Sequence, residues 1–287
     1  MTPLAAVSSG GLEHAVLVYA LAAIVSFAAA GSLFWRRRRQ VGRHVPAALT
    51  IAFLIALCQL LVIVALSRLP PGKFEERFFR DLMDTQSIVF LPALFLSGFV
   101  MAASGAWLSE RAKTPPFPVS RAAMRDPATA GRPLVLTLGI ALVASGVALA
   151  WSIALFKGCE LATGTPPQPA PGTEPVQAIF RGNALLLLGF GIAAAIWEEV
   201  FVRLFLLNAL RVLFRKAQGG TIAAVVVSSA IWAAGHAMTM NPEIVKFMQV
   251  FPIGVLFAIV YIRRGAEATL LSHGIFNFGI LLIGGFQ

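Results

Sequence analysis

Charge is what this sequence has least of. Of its 287 residues, 13% are Asp, Glu, Lys or Arg, about half the ~25% usual in a soluble domain. Hydrophobic residues make up 58%, and the mean hydropathy is +0.81. Disorder is excluded by those figures, and a soluble globular fold is disfavoured, because too few polar groups remain to cover it. Two cysteines, Cys58 and Cys159, cannot build a disulfide framework, and Cys58 in an apolar run is not expected to meet Cys159 in a loop. No internal repeat is visible, which weakens a transporter made of two similar halves. The first dozen residues lack a basic stretch, so no cleavable signal peptide is expected. There is no G-x-S-x-G, hence no serine elbow. There is no H-E-x-x-H, hence no local support for a zincin-like zinc site. Glycine (25) and proline (17) are near ordinary frequency, so no collagen-like or low-complexity class applies.

What the sequence does have is long apolar runs. They cover about 12–35, 46–66, 86–108, 133–156, 182–210, 220–240, 247–262 and 267–286. A helix needs about 20 residues to cross ~30 Å of hydrocarbon. The expectation is therefore an all-α polytopic membrane protein with about eight transmembrane helices, the seventh being the shortest. Alternate connecting segments carry 15 of the 23 Lys and Arg, including Arg36–Arg39, against 7 in the others, with Arg203 inside a span. That asymmetry places the N-terminus outside. It also explains the net charge of +10 as membrane flanks in contact with the lipid bilayer, with no nucleic acid needed. Residues 67–85 are charged with balanced signs and are expected to lie amphipathically on the outer surface. Residues 109–132 read as a basic connector, and the five-proline stretch within 157–181 as an extended outer loop. The chain thus divides into an N-terminal membrane module, 1–132, and a C-terminal one, 133–287.

The polar residues of the C-terminal module carry the chemistry. A charge at mid-membrane costs roughly 3 kcal/mol on the gentlest scale, yet Glu198, Glu199 and Arg203 share one span. Glu199 and Arg203 are four apart and can pair along a helix face, which leaves Glu198, about 100° away, without a local cation. His236 follows Trp232 by one turn, and Asn277 follows His273 by one turn. His14 and His44 sit at span ends and read as structural. At 1.5 Å per residue from the basic ends of their spans, Glu198, His236 and His273 lie about 20, 22 and 14 Å deep, so all three can share one layer. A carboxylate beside a histidine can activate water, and further N–H donors can hold an oxyanion. The sum is a water-activating hydrolase site for a carbonyl, most simply a peptide bond. Glu198, His236 and His273 could also hold zinc, but no cofactor is expected. A proton-coupled transporter and a non-catalytic peptide-binding, immunity or scaffold protein are the competing functions.

The series Glu198-Glu199-x-x-x-Arg203, Trp232-x-x-x-His236, His273-x-x-x-Asn277 resembles the CPBP (CAAX-processing and bacteriocin-processing, or Abi) family of intramembrane endopeptidases. The similarity covers about residues 185–282, and Asn241-Pro242 and the stretch from Tyr261 to Gly265 also look like the family. Trp232 stands where phenylalanine is usual, which keeps an aromatic wall. The resemblance implies a glutamic intramembrane protease. Glu198 would activate water with His236, His273 and Asn277 would hold the oxyanion, and Glu199 and Arg203 would support the site. The resemblance does not imply a substrate; the short loops read as bacterial, so the expected partner is a membrane-anchored protein or peptide, such as a bacteriocin precursor or sorting tail, rather than a prenylated CAAX protein, in a bacterial inner membrane.

Overall fold

The computed structural model describes residues 10–67, 86–169 and 184–285. The 67–85 segment beyond Ser67, and the proline-rich loop from 170 to 183, lie outside the described residues. Among the described residues, each of the eight apolar runs is helical over most of its length. In chain order the elements are α1 (Gly10–Arg36), the short α2 (Arg38–Val41), α3 (Val45–Ser67), α4 (Gln86–Arg111), α5 (Pro118–Arg125) and α6 (Gly131–Thr163). Next come β1 (Gln168–Pro169) and α7 (Ala184–Glu198), which runs into a π-helical segment, Glu199–Leu207, and then α8 (Asn208–Leu213). The chain closes with α9 (Gly220–His236), β2 (Met240–Asn241), α10 (Glu243–Arg264) and α11 (Ala266–Gly285). Among the described residues, six helices are long and apolar enough to cross a membrane, and α9 is a shorter apolar helix. The protein is an all-helical integral membrane protein.

Three expectations are corrected in detail. The seventh run is not the shortest helix: α10 has 22 residues and α9 has 17. The apolar run at 247–262 understated α10 because its first turn carries Glu243 and Lys246, which hydropathy alone discards. The fourth span does not stop near 156. It continues to Thr163, where Gly164 adopts φ 77° and ends it, so residues 157–163 are helix, not loop. Within the basic connector, Pro118 starts an eight-residue helix, because a proline in the first turn forfeits no hydrogen bond.

The π segment is the axis of the molecule. All nine of its residues are buried. It packs against α4, α7, α9 and α11, and Phe201, Leu204, Phe205 and Leu207 form the core with Trp232, Phe257 and Tyr261. Close approach is enforced at Gly105 of α4, where a Cβ would stand 2.7 Å from the Leu204 carbonyl oxygen. Small residues at such crossings let membrane helices approach closely. Where the π segment returns to α-helix, Asn208 Nδ2 reaches the carbonyls of Arg203 (3.2 Å) and Leu204 (2.9 Å) and the Tyr261 hydroxyl (2.6 Å). Tyr261 in turn donates to Ser109 Oγ at 2.8 Å. The outer faces of α1, α3 and α6 present Ile24, Phe53 and Val143, each at least 60% exposed. Such surfaces would aggregate in water and are at home in lipid. Cys58 and Cys159 are free thiols.

Candidate active site

The site forms where the end of α7, the C-terminal end of α9 and the middle of α11 meet around one indole. The Trp232 Nε1–H donates to Glu198 Oε2 at 2.5 Å. The face of the same indole carries the Arg203 guanidinium, whose Cζ lies 4.1 Å from the ring centroid. Its edges meet His236 and His273, at centroid separations of 5.2 and 5.3 Å. The sequence singled out Trp232 as an aromatic wall. In the structure it is a hub that fixes one carboxylate and one cation at once, which a phenylalanine ring could do only for the cation.

The two adjacent glutamates have separate environments. Glu199 Oε1 lies 3.2 Å from Arg203 Nη1 and 2.9 Å from His273 Nδ1. The side chains of Glu199 and Arg203 are 1% exposed and that of His273 is 3%. The expected i, i+4 pair is present and extends to a third member, His273. Glu199 Oε2 and the two terminal Arg203 nitrogens make no well-aligned hydrogen bond among the described residues, so the pair depends on its own charges. Glu198 instead faces both histidines. Its Oε1 is 3.5 Å from His236 Nε2 and its Oε2 is 3.8 Å from His273 Nε2. Glu198 is 14% and His236 26% exposed, so this edge of the cluster is the open one.

The ring orientation of His236 is set by its own helix. Nδ1 lies 2.9 Å from the Trp232 carbonyl oxygen, and a carbonyl can only accept, so Nδ1 carries the proton. In the neutral ring, Nε2 is then an acceptor turned toward the Glu198 carboxylate. The same reasoning makes His273 Nδ1 a donor to Glu199. Asn277 sits one turn farther along α11 and donates from Nδ2 to the Gly191 carbonyl at 3.2 Å. Five of the six residues singled out from the sequence therefore meet in one cluster. Asn277 is anchored beside it on the α7–α11 contact, with its second amide N–H uncommitted to that bond.

Three participants were not legible as site residues. Phe257 of α10 lies 5.5 Å from the His273 ring and 5.9 Å from Arg203 Cζ. Tyr19 of α1 packs edge-on to Phe201, and a Cβ on Gly235, beside His236, would stand 2.6 Å from its ring. Lys246 of α10 is within electrostatic reach of Glu198 and donates to Gln249 Oε1 at 2.9 Å. For Lys246 the signal was present, as a lone cation one turn into an apolar helix. Phe257 and Tyr19 are single aromatics among many, with no pattern to mark them. Among the described residues, no group of three His, Cys, Asp or Glu is arranged to hold a metal ion.

Residues 180–279 match the family described as type II CAAX prenyl endopeptidase Rce1-like. This segment is a domain of that protease family. The match takes in α7, the π segment, α9, α10 and most of α11, and so contains all six residues singled out from the sequence. Among curated proteins, the sporulation-killing factor biosynthesis protein SkfC of Bacillus subtilis (strain 168) is 28% identical over 91 residues. That stretch is 31% of this chain and 18% of SkfC, so the chain spans under a fifth of that relative's length. No solved structure matches the chain.

Proposed function

We propose that this protein is an intramembrane endopeptidase that hydrolyses a peptide bond of a membrane-anchored or lipid-associated substrate, using water activated by Glu198 and His236. The observation that carries the reading is the facing pair of acceptors at the open edge of the cluster, Glu198 Oε1 and His236 Nε2, 3.5 Å apart. A water seated against both donates a hydrogen bond to each and turns its lone pairs outward, toward a substrate carbonyl. The water oxygen bonds to the carbonyl carbon and one of its protons passes to Glu198. The carbonyl π pair moves onto oxygen to give a tetrahedral oxyanion. Glu198 then returns that proton to the amide nitrogen as the C–N bond breaks, releasing a carboxylic acid and an amine.

The other residues serve that sequence of events. Glu199 holds the Nδ1–H of His273, so His273 serves as an oxyanion donor in its doubly protonated form, from Nε2–H, together with the second N–H of Asn277. Arg203 supplies a fixed positive charge behind them, and Trp232 locks the Glu198 rotamer. The preponderance of basic residues at one end supports an N-terminus outside, in a bacterial plasma membrane. The site works without a metal.

The test is cleavage of a membrane-anchored reporter by purified protein in vesicles, with new termini read by mass spectrometry. A comparison of membrane-protein termini in cells with and without the chain identifies the substrate. Absence of any new terminus in both settings contradicts the reading.

A further inference from the structure

Outside the Glu198 cluster, several charged side chains join helices and are satisfied within the protein. Glu110 pairs with Arg43 and Arg121. Glu267 accepts from the backbone N–H groups of Val119 (2.6 Å) and Ser120 (2.7 Å) in α5. Arg211 donates to Thr114 Oγ1 at 2.6 Å and to the Ala112 carbonyl at 3.0 Å. Lys246 of α10 departs from that pattern. Among the described residues, no carboxylate lies within ion-pair distance of its ammonium, and its hydrogen bond goes to Gln249 Oε1 at 2.9 Å. Glu243, one turn earlier on the same helix, does not pair with it. A cation this close to a helix N-terminus is opposed by the helix dipole, so the helix itself does not favour lysine here.

The ammonium is braced from behind. Gln249 and Ser152 are 1% and 0% exposed. The Ser152 hydroxyl donates to the Ala148 carbonyl at 2.9 Å, so it accepts from Gln249 Nε2, also 2.9 Å away. The amide therefore turns its oxygen toward Lys246. An ammonium has three N–H donors, and Gln249 takes one of them. The reaction site is close by. In the antiparallel pair of α9 and α10, Gly254 lies against Ser229 and Trp232. Lys246 is eight residues earlier in α10, about 12 Å at 1.5 Å per residue, which brings it near the level of His236 at the end of α9. Among the described residues, Glu198 is the one acid within electrostatic reach of the ammonium, yet the two make no direct contact.

We propose that Lys246 is a specificity-determining residue that holds a carboxylate of the substrate near the scissile bond. This assignment rests on the endopeptidase reading. A substrate carboxylate brought up to Glu198 alone would be repelled by it. The ammonium offsets that repulsion, and its two remaining N–H donors form charge-assisted hydrogen bonds to the incoming oxygens. The carboxylate comes from an Asp or Glu side chain or from the substrate's own C-terminus.

The experiment uses the full chain in vesicles with membrane-anchored reporter peptides in matched sets. One set carries a single Asp, Asn or Lys at successive positions of a neutral segment, and the other ends in a free carboxylate or its amide. Binding is read by photo-crosslinking and cleavage by mass spectrometry. At one or more positions the acid should be cleaved about 10- to 100-fold faster in kcat/KM than its amide, the range for a hydrogen bond to a charged group. The set that shows the preference identifies the source of the carboxylate. Lys246→Arg should keep the preference, Lys246→Gln should bring the ratio to about one, and Lys246→Glu should reverse it in favour of the Lys reporter. Each is a ratio within one preparation, so partial misfolding does not imitate it. Equal cleavage across every matched set by the unaltered protein would overturn the proposal and leave the endopeptidase reading standing. A preference that survives Lys246→Gln would also overturn it. Lys246-dependent crosslinking of the acid reporters without any cleavage would support the carboxylate site and contradict the endopeptidase reading. Absence of both crosslinking and cleavage would contradict both.

Discussion

Glu198 and Glu199 are neighbours in the chain and opposites in setting. Glu199 is sealed among Arg203 and His273 and bears on the reaction only through them. Among the described residues, no Lys or Arg makes ion-pair contact with Glu198. It is pinned by one indole N–H and faces His236 at the open edge. The difference arises from rotation about the helix and from the indole that separates the two. On the function proposed above, one carboxylate is neutralised so that its neighbour is left for chemistry. Two like charges side by side in a low-dielectric interior would otherwise repel strongly.

The comparison can be broken or sharpened in graded ways. The largest effect is expected from the open side. His236→Ala should reduce reporter cleavage by about 10⁴-fold, and the double variant with Glu198→Gln should be no worse than either single one, because base and partner act as a unit. Additive losses would show that the two residues act separately. Next is Asn277→Ala, expected to cost about 10²–10³-fold in kcat as the loss of one oxyanion donor. A loss confined to thermal stability in detergent would reduce Asn277 to its bond with Gly191. Trp232→Phe keeps an aromatic face for Arg203 and removes the N–H to Glu198. Hydrogen bonds to charged groups contribute about 1.5–3 kcal/mol, so a misplaced Glu198 should lower kcat roughly 10- to 100-fold, while the smaller ring at the buried Trp232 position should lower Tm by less than loss of the Arg203 charge does. A drop in Tm matching that of an Arg203 variant would mean that the indole serves the sealed side more than the open one. The smallest effect is reserved for chelators: EDTA or phenanthroline should leave cleavage unchanged. Loss restored by zinc would turn Glu198, His236 and His273 into metal ligands.

The helices were legible because lipid imposes a simple code, about 20 apolar residues bounded by charges. The residues that cluster in the candidate site were legible because ionisable groups are costly at that depth and stand out against leucine and valine. What stayed hidden depended on geometry with no composition signature. The π-helical turns at Glu199–Leu207 read as ordinary helix, since hydropathy does not distinguish four residues per repeat from five. The indole's reach to Glu198, the approach of Tyr19 to Gly235 and the Glu267 contact with α5 all join residues distant in sequence. Helix ends were misjudged where a charged first turn or an amphipathic last turn broke the apolar run, as at Lys246 and Lys157.

The most direct test measures cleavage and thermal stability together for Glu198→Gln and Glu199→Gln. Glu198→Gln keeps the side-chain size and an acceptor for the Trp232 N–H but removes the base. It should abolish cleavage with an unchanged Tm. Glu199→Gln leaves Arg203 and His273 without their counter-charge, and breaking a buried pair costs roughly 3–5 kcal/mol. It should lower Tm markedly and retain measurable cleavage in the fraction that remains folded. Normal cleavage by Glu198→Gln, beside a folded but inactive Glu199→Gln, would contradict the account and move the base to the sealed carboxylate.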